Sequence, residues 1–434
     1  PSSSNSKVTI KPTINGNDIV KYHKNDTQYY VEFSDKKGNP IINCEITLNI
    51  NGVFYKKITN MAGIAKLNIN LDPGNYIITS YNPKTNEQRS NNITVLATIS
   101  CNYDLVKYYK NKKTYSVYLH NLDGSYAKYS KVTFNINGVF YTKTTNKDGV
   151  ADLGIMLRPG TYILTAYNPV TGEEKGFNIT VKSLIVQNDL TKYYLNASRF
   201  QATIYNKDGS LAVNKEVTFN INGVFYTKIT NSEGIATLNI KLLPAEYIIT
   251  NYNLVTGEEN SNKVTVKSLL VDNSDLVKYY LNESKYTLKV IGKDGKVAAG
   301  QEVSFNINGV FYHRVSDENG IVSLGIKLRP GDYIVTAEYE GCRVSNNVKV
   351  LPTLVTKDLV MKYMDGSSFT AQTLDGQGKT LANQKISFNV NGVFYHRTTD
   401  ENGMASLHIR LNPGKYIITS IWNEYQIGNN ITIA

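Results

Sequence analysis

The sequence contains little cysteine, tryptophan or proline and has no long apolar run. Its 434 residues include 3 Cys, 1 Trp and 11 Pro. Cys44, Cys101 and Cys342 fall at unrelated positions, which excludes a repeated disulfide framework or a zinc site. No window approaches the roughly 20 apolar residues of a membrane-spanning helix. The start Pro1-Ser2-Ser3-Ser4 also lacks the charged and apolar segments of a secretion signal.

Charge is modest and excludes few functions by itself. The chain is 19% charged and 41% hydrophobic, with 47 Lys and Arg against 36 Asp and Glu, a net charge of +11. This composition can bury a core and is not that of a disordered chain. The positive charge is spread along the sequence, without an arginine cluster or ligand-spaced aromatic residues. Nucleic acid is therefore not an expected partner.

Internal repetition is the strongest feature of the sequence. A segment reading Asn, Ile or Val, Asn, Gly, Val, Phe, Tyr occurs five times, and its glycines are spaced by 86, 85, 86 and 83 residues. We therefore predict five homologous domains and, before them, the exit strand of a preceding repeat. The predicted boundaries are 1–16 for that exit strand, then 17–99, 100–186, 187–271, 272–355 and 356–434. The chain is interpreted as part of a longer array.

Within each repeat the hydrophobic residues alternate with a period of two, as in strands with one buried face. Ala151, Leu153, Ile155 and Leu157 show this pattern, and no stretch of 11 or more residues shows helical spacing. The sequence predicts an all-β fold of five tandem immunoglobulin-like sandwiches, each with about seven antiparallel strands. Short apolar joints such as Thr94–Ser100 predict stiff connections, and hence an elongated rod on the order of 200 Å.

Turn motifs fix the register of each predicted sandwich. Asn137-Gly138 predicts a two-residue hairpin that places Phe140 on the outer face beside Asn135. Since large apolar patches are rarely exposed, we expect a connecting segment to cover that phenylalanine. The Leu-x-Pro-Gly-x-Tyr segment resembles a tyrosine corner. Ala245 replaces its glycine in the third repeat, so that backbone angle either is not positive or is strained.

At these motifs the sequence resembles the adhesin-like surface proteins of methanogenic archaea, which consist of tandem bacterial-type Ig-like repeats. The matching strings are Asn220–Tyr226, the Leu-x-Pro-Gly-x-Tyr corner and Asp275–Tyr280. The resemblance implies an extracellular protein of the cell surface or cell wall that attaches to neighbouring or host cells. It implies a glycan or protein receptor as partner, and it supplies no catalytic or binding residues.

Six Asn-x-Ser/Thr sequons are candidate N-glycosylation sites. Chance in a chain rich in Asn and Thr would also produce several, and three share one repeat position beside a closing strand. The six are Asn25, Asn92, Asn178, Asn196, Asn282 and Asn430.

An isopeptide crosslink between Lys107 and Asn178, with Asp104 as acid, is the sharpest chemical hypothesis. We do not favour it, because Asp104 and Lys107 are three apart and point to opposite strand faces. For so polar a residue as Lys107, an exposed strand position is expected.

Other candidates receive structural interpretations. The recurring aspartates Asp18, Asp104, Asp189, Asp275 and Asp358 offer too few oxygens for calcium, so a cap or turn bond is expected. His313 and His396 are interpreted as surface strand residues. If any ligand were held, the variable loop after Tyr167 and the single Trp422 would be the places to look, although loop drift is favoured.

No nucleophile–base pair, phosphate loop or metal-ligand set recurs, so no catalytic residue, cofactor or metal is predicted, and the chain is not expected to be an enzyme. The primary hypothesis is a stalk segment of a large cell-surface adhesin, which projects an adhesive region and mediates attachment. The alternative is a carbohydrate- or cell-wall-polymer-binding array that acts by avidity.

Overall fold

The computed structural model describes residues 6–101 and 103–434, and every regular element in them is a β-strand. The interpretation of Pro1-Ser2-Ser3-Ser4 concerns residues outside this range. No helix among the described residues is long and apolar enough to cross a membrane. The contacts divide the chain into two compact units, the first up to Val186 with Ile204–Ala212, the second Gln187–Thr203 with Val213–Ala434.

The strands repeat in sets of eight. Domain 1 has β1 (Ile14–Gly16), β2 (Ile19–Tyr22), β3 (Gln28–Phe33), β4 (Glu45–Ile50), β5 (Val53–Ile58), β6 (Ile64–Asn68), β7 (Gly74–Tyr81) and β8 (Gln88–Leu96). Domain 2 has β9 (Ile99–Ser100), β10 (Leu105–Tyr108), β11 (Thr114–Leu119), β12 (Lys131–Ile136), β13 (Val139–Thr144), β14 (Val150–Gly154), β15 (Gly160–Tyr167) and β16 (Glu174–Lys182).

The other three domains follow the same order. Domain 3 has β17 (Ile185–Gln187), β18 (Leu190–Tyr193), β19 (Arg199–Ile204), β20 (Glu216–Ile221), β21 (Val224–Ile229), β22 (Ile235–Asn239), β23 (Ala245–Tyr252) and β24 (Glu259–Lys267). Domain 4 has β25 (Leu270–Val271), β26 (Leu276–Tyr279), β27 (Lys285–Val290), β28 (Glu302–Ile307), β29 (Val310–Val315), β30 (Ile321–Gly325), β31 (Gly331–Tyr339) and β32 (Cys342–Leu351). Domain 5 has β33 (Leu354–Thr356), β34 (Leu359–Met361), β35 (Ser368–Thr373), β36 (Lys385–Val390), β37 (Val393–Thr398), β38 (Met404–His408), β39 (Gly414–Trp422) and β40 (Tyr425–Ile433).

Each domain is a sandwich of two sheets. In domain 1, β1, β3 and β6 form a three-stranded sheet, and the other sheet has the order β2-β8-β7-β4-β5. The same order recurs in the other domains. The predicted all-β fold of five tandem immunoglobulin-like sandwiches is confirmed.

Alternating residues from the two sheets fill each core. Phe200 meets Phe219 edge to face with ring centroids 5.9 Å apart, and Phe369 meets Phe388 in the same way at 5.8 Å. Domains 1, 2, 4 and 5 each have their own buried cluster. Buried aromatic and aliphatic side chains are the main favourable contribution to folding, so each of these domains carries its own source of stability.

The predicted turns are present. Asn137 and Gly138 have φ of 52° and 76°, as a tight hairpin with both central residues left-handed requires. The Tyr162 hydroxyl donates to the Arg158 carbonyl at 2.7 Å, and the equivalent tyrosines make the same bond, which confirms the tyrosine corner. Ala245 is not among the positive-φ residues of the described chain, which resolves the alternative left open by its sequence.

The beginning of each domain differs from the expectation of seven antiparallel strands. Each domain begins with two short strands, one in each sheet, which are separated at residues such as Asn17 and Asp18. The second of these runs parallel to the last strand of the domain, as β2 does with β8. Ile14–Gly16, assigned from the repeats to a preceding domain, pairs with β3 of domain 1.

Candidate functional site

The joints between consecutive domains are built from a tyrosine and a glycine. Tyr22, at the end of β2, lies against Gly124 in a turn of domain 2, where an added Cβ would be 2.7 Å from the Tyr22 Cε2. Gly124 has φ of +89°, so its missing side chain serves both the turn and the contact. The same contact recurs within the two units, as Tyr108 on Gly209, Tyr193 on Gly295 and Tyr279 on Gly378.

A joint asparagine adds a hydrogen bond to each ring contact. Asn25 Nδ2 donates to the Leu122 carbonyl of domain 2 at 2.8 Å, while its Oδ1 accepts the Thr27 N–H at 2.8 Å. Equivalent bonds run from Asn111 to Lys207, from Asn196 to Lys293 and from Asn282 to Gly376, at 2.9, 2.8 and 2.7 Å. These four are called the joint asparagines below.

The joint asparagines divide the six predicted glycosylation sites into two classes. Asn25, Asn196 and Asn282 use their Nδ2 groups across a joint, and all three are half-buried. Asn111 makes the same bond although Lys113 leaves it outside any sequon, so the bond itself accounts for the asparagine. Glycosylation at these three sites stays a prediction, and it conflicts with the joint bond.

The other three candidate sites lie on closing strands. Asn92, Asn178 and Asn430 are exposed, and each donates its backbone N–H to a recurring aspartate, namely Asp18, Asp104 or Asp358, at 2.9 to 3.0 Å. Glycosylation of these three also stays a prediction, with no joint contact in its way.

The recurring aspartates brace the parallel strand pair. Asp275 Oδ1 accepts the Asn347 N–H at 2.9 Å and the Asn346 Nδ2 at 3.1 Å. The Asn347 N–H, then the Asn346 amide, lowers the pKa of Asp275 from its ordinary value. This is the local bond that the sequence favoured over calcium, and no group of three or more metal-ligating residues occurs in the described part of the chain.

Lys107 is buried, so the expectation of an exposed strand position was wrong. It is only 4% exposed, and its Nζ donates to the Ile155 carbonyl at 2.7 Å and the Lys113 carbonyl at 3.3 Å. Asn178 Nδ2 points instead to Asp104 at 3.4 Å. Burial lowers the pKa of Lys107. The ammonium thus closes the end of the sandwich by bonding to backbone carbonyls, and its partners are not those of the crosslink hypothesis.

The buried lysine recurs and its exception is informative. Lys21, Lys192 and Lys278 are also 4 to 5% exposed and donate to the carbonyls of Ile69, Ile240 and Ile326. Domain 5 has Met361 here, also 4% exposed. Four repeats have lysine at this position and the fifth has Met361. That apolar replacement was the signal in the sequence that the position is buried.

The remaining candidates do not form a ligand site. Trp422 is buried in the domain 5 core, and its Nε1 donates to Gln384 Oε1 at 3.3 Å. His313 and His396 lie on exposed strands, with His313 Nδ1 3.2 Å from Glu302 Oε1 and His396 Nδ1 2.8 Å from Ser387 Oγ. All three cysteines are free.

Sequence reasoning missed an exposed aromatic position on the outer face of the five-stranded sheets. Phe140 pairs with Asn135 as predicted, yet it is 64% exposed, so the expectation that a connecting segment covers it was wrong. Its nearest aromatic contact is Tyr167, with ring centroids 6.5 Å apart. The equivalents Phe54, Phe225, Phe311 and Phe394 are exposed as well.

Comparison with known proteins finds distant similarity to solved tandem-domain structures. No protein-family model and no curated protein matches the chain. Among solved structures, the I9-I11 tandem of titin is 14% identical, covering 58% of this chain and 98% of its own, with a TM-score of 0.24. Immunoglobulin domains 1–5 of Sidekick-1 are 13% identical over 96% and 97%, with a TM-score of 0.19. A Ca2+-stabilised adhesin with which an Antarctic bacterium binds ice is 18% identical over 79% and 99%, with a TM-score of 0.17.

Proposed function

We propose that this chain is a load-bearing spacer segment of a cell-surface, adhesin-like protein outside the cell. Five separate sandwiches follow one another through two-residue connections such as Ala97-Thr98, and side chains that recur from repeat to repeat restrain the joints. Such a segment holds an adhesive region away from the cell surface and resists unfolding. In this proposal the chain has no catalytic role.

The parallel pairing of the second and last strands carries the proposal. In domain 4, Leu276 pairs with Val348 and Lys278 with Val350, and the other domains show the same pairing. The chain enters each domain near one of these strands and leaves through the other. Tension between the two ends therefore pulls the parallel strands in opposite directions and loads several hydrogen bonds at once.

Two proline variants test this clamp, because the backbone N–H groups of a strand alternate in direction. Tyr280 donates its N–H to the Leu351 carbonyl at 2.8 Å, so the N–H of Leu276 faces β32. Because β26 is at the sheet edge, the N–H of Val277 faces solvent. Proline at either position fixes φ, but only Leu276→Pro removes a clamp bond.

Single-molecule force spectroscopy of the full chain distinguishes the two variants. We expect Leu276→Pro to lower the unfolding force of one domain in five, and Val277→Pro to leave all five close to wild type. If the two variants had equal effects, or if Leu276→Pro had none, the parallel strand pair would not be the part that resists force. That result would contradict the load-bearing role.

A finer form of the proposal names the host and the partner. Attachment of a methanogenic archaeon to neighbouring or host cells through a glycan or protein receptor is supported by the sequence resemblance. Antibodies against this chain should label intact cells of the source organism, and labelling only after lysis would contradict a surface location.

A further inference from the structure

An uncharged row of side chains crosses the outer face of each five-stranded sheet. In domain 1, Phe54 on β5 is opposite Asn49 on β4, Asn49 is opposite Thr79 on β7, and Thr79 is opposite Ser90 on β8. The hydroxyls of Thr79 and Ser90 are 2.9 Å apart. We call this set the sheet-face row.

The sheet-face row recurs in every domain with little change. Phenylalanine, asparagine and threonine keep their places, and the fourth position is Ser or Gly. Domains 3 and 4 also keep the hydroxyl pair, as Thr250 with Ser261 at 2.8 Å and Thr336 with Ser345 at 2.9 Å. These side chains point away from the core, so core packing does not explain why the same residues recur in all five domains.

The phenylalanines and asparagines of the row are available to a ligand. The phenylalanines are 54 to 65% exposed, and the equivalent asparagine amides have no hydrogen-bond partner in the part of the chain that the structure describes. An amide offers two N–H donors and one acceptor oxygen. The five asparagines are Asn49, Asn135, Asn220, Asn306 and Asn389.

We propose that the sheet-face row of each domain binds a neutral polysaccharide, with the phenylalanine ring stacked on a sugar ring and the asparagine amide bonded to its hydroxyls. An aromatic face beside a few fixed polar groups is the composition of small-ligand sites. Domains 1 to 3 add a second ring, since Phe54, Phe140 and Phe225 each lie 6.2 to 6.5 Å from a tyrosine of the same sheet.

Size and charge argue for this occupant over a second copy of the chain or another protein. Four neighbouring strands span about 14 Å at 4.7 to 4.9 Å per strand. A row of this length offers far less than the roughly 800 Å² per partner of a stable protein interface. The four residues of the row carry no charge in any domain, so the row itself offers a polyanion no cation. The next outward residue on the edge strand is Thr142 in domain 2 and Thr227 in domain 3, whereas it is Lys56, His313 and His396 in the other domains.

Repetition provides the affinity that one row lacks. A single ring and amide form a weak site, but five rows on one chain make later contacts with the same polymer intramolecular. This inference adds a ligand class to the proposed function. It rests on that proposal, because a polysaccharide ligand requires that the chain be displayed at the cell surface.

Affinity electrophoresis of the full chain tests the inference. The probes are soluble mixed-linkage β-glucan, galactomannan and dextran as neutral polymers, with alginate as the charged one. We expect at least one neutral polymer to retard the wild type, and the fivefold variant with Phe54, Phe140, Phe225, Phe311 and Phe394 changed to alanine to bind at least about tenfold more weakly. The fivefold Phe→Tyr variant keeps the rings and should stay retarded.

A matched control changes exposed valines elsewhere on the same face. Val20, Val106, Val277 and Val360 become threonine, as domain 3 already has in Thr191, and retardation should not change. The inference would be overturned if no neutral polymer retarded the wild type, or if alginate alone did. It would also be overturned if the Phe→Ala variant were retarded as strongly as the wild type. Loss of self-association in the Phe→Ala variant, measured by light scattering, would assign the row to a second copy instead. The phenylalanine variants lie on the edge strand at the opposite side of each sheet from the clamp, so the force experiment stays independent of them.

Discussion

At the scale of single residues, the repeats show which side chains the fold requires. The sequence predicted the hairpin register at Asn137-Gly138 and the corner bond of Tyr162, since both depend on local backbone chemistry. It missed the burial of Lys107, because lysine is usually exposed. The backbone carbonyls that accept its hydrogen bonds come from other parts of the chain and are brought to it only by the fold. It also missed the exposure of Phe140, since hydrophobic character alone does not say whether a loop lies over a sheet.

Domain 5 provides a natural reference for the buried lysine. Because Met361 occupies the same buried position, we expect Lys107→Met to be tolerated, with an unpaired Ile155 carbonyl costing about 1 to 3 kcal/mol at most. Lys107→Ala should cost roughly 2 to 5 kcal/mol more than Lys107→Met, because it also leaves a cavity. Hydrogen exchange of β10 and β14 in denaturant measures both. Equal stability of the two variants would show that Lys107 does not fill the end of the sandwich.

The aspartate bonds predict a dependence of stability on pH. The Asn347 N–H and Asn346 amide lower the pKa of Asp275, so the ionised carboxyl is favoured in the folded state. Its contribution is present above the unfolded pKa of about 3.9 and is lost as pH falls through the lower folded value. Hydrogen exchange of domain 4 should therefore show Asp275→Asn less stable than wild type at pH 6, with the difference shrinking below pH 4. A difference independent of pH would contradict the assignment.

At the scale of elements, the joints depend on contacts between a strand end and a turn of the next domain. The sequence indicated stiff joints from the absence of Gly-Ser or Pro-rich linkers. It did not identify Tyr279 or Asn282 as the residues that restrain them, because their partners lie about 95 residues away along the chain. The sequon at Asn282 drew attention to glycosylation, although the joint bond explains the residue as well.

Two glycines of domain 5 separate joint contact from backbone strain. Gly378 has φ of +79°, and an added Cβ would lie 2.4 Å from the Tyr279 Cζ, whereas Gly366 has φ of +82° and no atom within 4 Å. Alanine at either site is strained by the left-handed backbone. We expect only Gly378→Ala to displace Tyr279, with faster hydrogen exchange at the Asn282 and Ser284 amides and faster proteolysis near Leu351. Equal changes in both variants would mean that the ring contact does not hold the joint.

At the scale of the whole molecule, the repeats made the domain number predictable and left the strand topology open. Spacing of the Asn-Gly turns gives five units, but it does not reveal that each domain begins with two strands, one in each sheet, the second of which runs parallel to the last strand. The parallel pair that results is the part of the fold on which the load-bearing proposal depends.

The central claim is that this chain consists of five separately cored sandwiches that unfold one at a time under load. Stretching the wild-type chain between its ends tests it most directly. We predict five force peaks, each followed by a gain in length of roughly 250 to 300 Å, since about 85 released residues extend by at most 3.3 to 3.6 Å each. Fewer and longer steps, or a smooth extension without peaks, would contradict the account.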